Sequence, residues 1–188
     1  MTLSALGILS AAGAGVVAGD YELIETQILG SATSSITFSN LGLYAATYKH
    51  LQIRATTRTT ESAAESAVRI RFNSDTGANY AWHFLFGNGS TVSPSADVSQ
   101  TAIYPFASVG NTQTANGFGV HVIDILDYSS TTKNKTTRAF TGYASGTNRI
   151  ALASGLWQNT SAITSVFFGP NTSNWATGSR FSIYGIRG

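Results

Sequence analysis

The feature that most constrains this chain is the alternation of apolar and polar residues with period 2, in short runs separated by turn residues. Such alternation marks half-buried β-strands, because successive side chains of a strand point to opposite faces. Leu51, Ile53 and Ala55 point one way while His50, Gln52, Arg54 and Thr56 point the other. Val68, Ile70 and Phe72 alternate with Arg69, Arg71 and Asn73. Further strands are predicted over 21–28, 80–86, 136–143, 150–157, 163–168 and 181–186. The run 118–126 is almost continuously apolar and reads as a central strand buried on both faces. Asn88-Gly89, Asn116-Gly117 and Gly146-Thr147-Asn148 supply turns. The Ser/Thr-rich stretches 57–66, 88–99, 129–133 and 169–179 read as longer loops, with room for one helical turn at Ser62–Ser66.

About 8–10 strands without helical periodicity or a repeat point to an all-β fold. A jelly-roll-like antiparallel β-sandwich fits best, with a single up-and-down barrel as the alternative. Residues 21–188 form one domain, preceded by an apolar arm over 1–20.

The surface of this domain has few charges to work with. Charged residues are 11% of the chain, against about 25% in average soluble domains. Ser and Thr number 23 and 24, so hydroxyls must do much of the wetting. Only 3 Lys and 8 Arg occur, all dispersed, which disfavours a phosphate-tracking stripe and therefore a nucleic-acid partner. So low a charge also removes much of what keeps a monomer apart from its neighbours, a first hint of assembly. The absence of cysteine excludes disulfides, thiolate metal sites and a cysteine nucleophile.

Residues 2–19 carry no charge. A signal peptide would begin with a basic segment, and none is present. A transmembrane helix needs about 20 strongly apolar residues. This run is shorter and is interrupted by Gly7, Gly13, Gly15 and Gly19, each costing a helix about 1 kcal/mol relative to Ala. We therefore expect no membrane contact. The segment reads as an uncleaved arm that packs on a neighbouring subunit through Leu3, Leu6, Ile8, Leu9, Val16 and Val17. Folding back onto its own domain is the alternative.

Candidate chemistry is sparse. Asp75-Thr76-Gly77 matches the aspartic-protease triplet, but only one copy exists, and the same residues suit a hairpin turn. His50, His83 and His121 fall in three different strands without metal-ligand spacing. Asp124 and Asp127 would point to opposite faces of one strand, which argues against a glycosidase pair. Asp124 is expected to meet an arginine and Asp127 to cap the strand end. No catalytic residue, metal site or cofactor is expected. Four Asn-x-Ser/Thr triplets, at Asn88, Asn134, Asn159 and Asn171, arise readily in so Asn/Ser/Thr-rich a chain. Trp82, Trp157 and Trp175 could stack on sugar rings. Trp175, in the polar loop NTSNWATGS, is the glycan-stacking candidate under the alternative reading, while a core lid or subunit contact is the favoured one.

Five strings complete the picture: Tyr48–Arg54, Arg71–Tyr80, Asp124–Tyr128, Ser154–Trp157 with Asn159-Thr160, and Tyr184–Gly188. As a set they resemble a family of small structural proteins of tailed bacteriophages, over essentially the whole of 21–188. The resemblance implies a non-enzymatic virion component with a jelly-roll-like fold, placed on the outer surface of the capsid as a decoration or cement protein. Its partners would be the major capsid protein and itself, as a homotrimer, with the arm as tether. The alternative is a tail or fibre component that binds host surface glycan. In this setting Asp127-Tyr128 and Trp157 would anchor strand ends.

Overall fold

The structure, a computed structural model, describes residues 20–188. Residues 1–19, and with them the six arm positions Leu3, Leu6, Ile8, Leu9, Val16 and Val17, lie outside the described residues.

Twelve strands and one short 3-10 turn (Leu41–Tyr44) are described. The strands are β1 (Tyr21–Ile28), β2 (Ile36–Phe38), β3 (His50–Thr57), β4 (Glu65–Phe72), β5 (Tyr80–Gly87) and β6 (Val92–Gln100). They continue with β7 (Ala107–Val109), β8 (Gly119–Leu126), β9 (Lys135–Ser145), β10 (Thr147–Trp157), β11 (Val166–Pro170) and β12 (Arg180–Ile186). They form two antiparallel sheets, ordered β1-β12-β3-β8-β9-β10-β5-β6 and β2-β11-β4-β7.

This order is a jelly roll with two additions. The chain alternates between sheets from β1 to β4, then β7 to β8 and β11 to β12. The β1-β12-β3-β8 half stacked with β2-β11-β4-β7 gives the eight strands and paired Greek keys of that fold. The pairs β5–β6 and β9–β10 are inserted between roll strands and widen one sheet to eight strands.

The alternation seen in the sequence decides which face is buried. In β3, Leu51, Ile53, Ala55 and Thr57 face the interior, and in β4 Ser66, Val68, Ile70 and Phe72 do. Aromatic rings join the sheets. Phe72 packs 5.6 Å from Trp157, which lies 6.3 Å from Tyr80. Phe168, Trp175 and Phe181 form a second group at 5.1–5.8 Å.

Four expectations are corrected. The stretch 88–99 contains β6, an edge strand exposed along most of its length, where no apolar alternation could show. Ser62–Ser66 holds no helical turn; β4 begins at Glu65. Asp75-Thr76-Gly77 is a turn, but it connects the two sheets rather than the arms of a hairpin. The apolar run of β8 is central in its sheet but buried on one face only: Val120 and Leu126 are exposed on the other.

The Asp75 corner shows how a polar residue fixes topology. One carboxylate oxygen accepts the Gly77 N–H at 2.8 Å. The other accepts the Asn79 side-chain amide at 2.9 Å and the Trp157 indole N–H at 2.7 Å. Burial works against ionisation here, but these three donors outweigh it and hold the carboxyl below its usual range. The bond thus ties the β4–β5 crossing to the end of β10.

Trp175 illustrates the energetic side. It has 0% exposure, bridges Thr33 and Thr59 through its backbone, and donates its indole N–H to the Phe168 carbonyl at 3.1 Å. Trp175→Ala should cost about 3–5 kcal/mol of stability, the usual loss for emptying a buried tryptophan site. Chemical denaturation followed by circular dichroism checks this. A loss below about 1 kcal/mol would show that the loop 171–179 does not close the core.

Candidate functional site

Burial removes the glycan-stacking alternative for Trp175 and agrees with its reading as a core lid: its ring is walled in by Phe168 and Phe181 and offers no face to a sugar. Trp157 is buried likewise, at the end of β10. Of the three tryptophans only Trp82 is partly exposed. It lies with Phe84 and Phe86 on the inner side of β5. Its ring stacks 5.0 Å from Phe84 and meets Tyr104 edge-on at 5.7 Å, while Phe106 meets Phe84 at 5.3 Å. Glu65 and Ala67 complete a groove of about 330 Å³. The buried indole nitrogen of Trp82 has no hydrogen-bond partner among the described residues. Glu65 accepts the Tyr143 hydroxyl and pairs with Arg149 at 3.1 Å.

The histidines do not converge. His83 is exposed on the outer side of β5, and His50 at the start of β3 accepts the Asp127 N–H at 2.9 Å. His121 is buried between Thr141 on Nδ1 and Thr57 on Nε2, both at 3.1 Å. The Thr141 hydroxyl donates to the Pro105 carbonyl, so it accepts from a protonated Nδ1. Thr57 then donates to Nε2, and the Ser108 hydroxyl bonds Thr57 in turn. A neutral imidazole satisfies this network without a charge, and burial pushes its pKa down to about 3.

Asp124 meets Arg138 at 2.7 Å and accepts Gln52 at 2.6 Å, on the outer face of β8. Asp127 lies just past β8 with φ 48°, ending the strand, and is paired with Lys133 at 2.7 Å. Tyr128 is buried beside it and donates to the Leu41 carbonyl. The two carboxylates are thus committed to separate structural partners. Among the described residues no group of three His, Asp or Glu side chains is placed to hold a metal ion. Among those residues too, no helix is long and apolar enough to cross a membrane.

The most distinctive surface is the outer face of the eight-stranded sheet. Pro94, Leu85, Leu152, Phe140 and Val122 face one another in direct register across β6, β5, β10, β9 and β8. The adjacent row runs Val92, Gly87, Ile150, Gly142 and Val120. Val92 is 67% exposed, Leu152 57%, Ile150 54% and Phe140 44%. Outward glycines leave low ground between these knobs, including an apolar dimple of about 200 Å³ between Leu85, Phe140, Ile150 and Leu152. A polar row, Gln52–Asp124–Arg138–Ser154–His83, borders the patch on one side. Contiguous apolar surface of this kind on a charge-poor protein is the physical signature of an interaction site.

No protein-family model, curated protein or solved structure matches the chain. What the fold and surface define is an antiparallel β-sandwich of jelly-roll order with an apolar outer sheet face.

The His121 network yields a pH dependence. The folded state keeps His121 neutral, whereas the unfolded chain protonates it below about pH 6.5. Its folded-state pKa is depressed, so stability present above pH 6.5 is lost as pH falls toward 3. Linkage gives a loss of about 2 kcal/mol between pH 6.5 and 4.5. Denaturation series at both pH values, repeated on His121→Gln, should show that loss shrink in the variant. An equal loss in both proteins would assign it to other groups.

Proposed function

We propose that this protein is a non-enzymatic structural protein of a tailed-phage virion, decorating and cementing the capsid shell. It docks on the major capsid protein and on further copies of itself, as a homotrimer, through residues 2–19 and the β-sandwich. The observation that carries the reading is the apolar outer face of β8, β9, β10, β5 and β6. A free monomer would keep Val92, Leu152, Ile150 and Phe140 in water. At roughly 25 cal/mol per Å² of apolar area, covering them stabilises an assembly by several kcal/mol per copy. Repeated over many copies, such contacts add avidity and resist outward pressure on a shell. The resemblance of 21–188 to phage structural proteins and the scarcity of charge point the same way.

Immunogold labelling of intact particles tests the location. Label spread over the head is the expected result; label confined to the tail end would overturn the capsid assignment. In that event the aromatic groove supports the second reading, host-glycan recognition, with Trp82 and Tyr104 in place of the buried Trp175. Glycan binding lost on Trp82→Ala would then establish it, and binding unchanged by that substitution would remove it.

A further inference from the structure

The outer apolar face needs a cover, and the chain carries one of matching chemistry. Residues 2–19 are uncharged and supply Leu3, Leu6, Ile8, Leu9, Val16 and Val17. From Leu3 to Val17 they reach about 20 Å as a helix and about 50 Å extended. The face from β8 to β6 spans four strand spacings, about 19 Å. We infer that residues 2–19 of a neighbouring copy lie across the outer face of the eight-stranded sheet, with apolar side chains seated in the dimple between Leu85, Phe140, Ile150 and Leu152.

The path from Asp20 favours a neighbour over the same chain. Asp20 leads into β1, at the far edge of this sheet. The row that starts at Tyr21 runs through Ile186 to His50, and the next residue, Leu51, pairs with Ile125 of β8 before the patch is neared. Val16 and Val17 lie three to four residues before Asp20, within about 14 Å of it. Within one chain they would fall on β12 and β3, where Arg54 stacks between Tyr21 and Tyr184 at 5.0 and 5.1 Å and bonds Gln52. Two valines would then bury a guanidinium and an amide, at a cost in lost hydration. An arm arriving from another copy avoids that stretch and sets all six apolar side chains on the apolar rows. This rests on the self-assembly part of the proposed function and not on where in the virion the protein sits.

The test is site-specific photo-crosslinking of the full-length purified protein. Leu152→p-benzoylphenylalanine places the reactive group on the face, and a 1:1 mixture of ¹⁴N- and ¹⁵N-labelled chains is irradiated and digested. The expected product joins position 152 to a peptide within residues 2–19, with mixed isotope pairs showing that two chains are involved. A partner peptide from β8, β9 or β10 would mean sheet-on-sheet packing and overturn the inference. So would a link within one chain only, or no link at all.

As a second measurement, Leu152→Arg and the pair Leu6→Asp with Leu9→Asp should each weaken self-association at least tenfold by analytical ultracentrifugation. Combining all three should weaken it no further, because both changes break one contact. Additive losses would overturn the inference. Unchanged circular dichroism confirms that Leu152→Arg folds. Particle labelling reads the capsid assignment separately, so an arm–face link in a tail protein would sustain the inference while the capsid reading failed.

Discussion

Everything else in the molecule follows from an inequality of width: a sheet of eight strands is packed against a sheet of four. A β-sheet is stable in water only when one face is covered by something apolar. The four-stranded sheet cannot cover the whole inner side of its larger partner. Where cover runs out, the protein substitutes aromatic rings for a second layer. Trp82, Phe84 and Phe86 on β5 pack against Tyr104 and Phe106 in the segment before β7. Phe106 holds φ at 106°, a conformation that costs a non-glycine residue energy, and its packing against both phenylalanines is what holds it there. The groove beside Trp82 is the remainder of that improvised cover.

Much of this was legible in the sequence wherever one face of a strand is buried and the other wet. Leu51–Thr57 and Val68–Phe72 show their alternation because the two faces meet different solvents. Signals failed where that contrast disappears. The edge strand β6 is wet on both sides and reads as loop. Strands β2 and β7 have three residues each, too few for a period to show. Trp175 has polar sequence neighbours, so an exposed stacker and a core lid both stayed open there; the lid is what the structure shows, packed on Phe168 and Phe181 and bridged to Thr33 and Thr59, more than a hundred residues away. The unbroken apolar run of β8 was the most informative misreading. It signals two apolar faces, and the second turned out to be molecular surface. That run was the one sequence signal for the candidate site.

Several polar groups act here as fasteners. Asp75 ties a crossing to Trp157, Asp124 is held by Arg138 and Gln52, Asp127 by Lys133, and His121 by two threonines. Each is engaged by specific neighbours, at a strand end, a crossing, a buried seam or, for Asp124, across the outer face of the sheet. A domain so poor in charge keeps its few ionic and amide contacts for register and connectivity. Solvation is left to hydroxyls.

The pairing of β1 with β12 has a consequence for how the chain reaches this state. The first described strand hydrogen-bonds to the last, Tyr21 opposite Ile186, and β12 also separates β1 from β3. A ribosome must therefore release the residues through β12 before β1 can join the large sheet. Until then β1 and β3 wait with unpaired edges, the state in which strands recruit the wrong partners. Folding dominated by such distant pairings runs in milliseconds to seconds rather than microseconds. Nascent copies crowded on one message would meet each other during that interval.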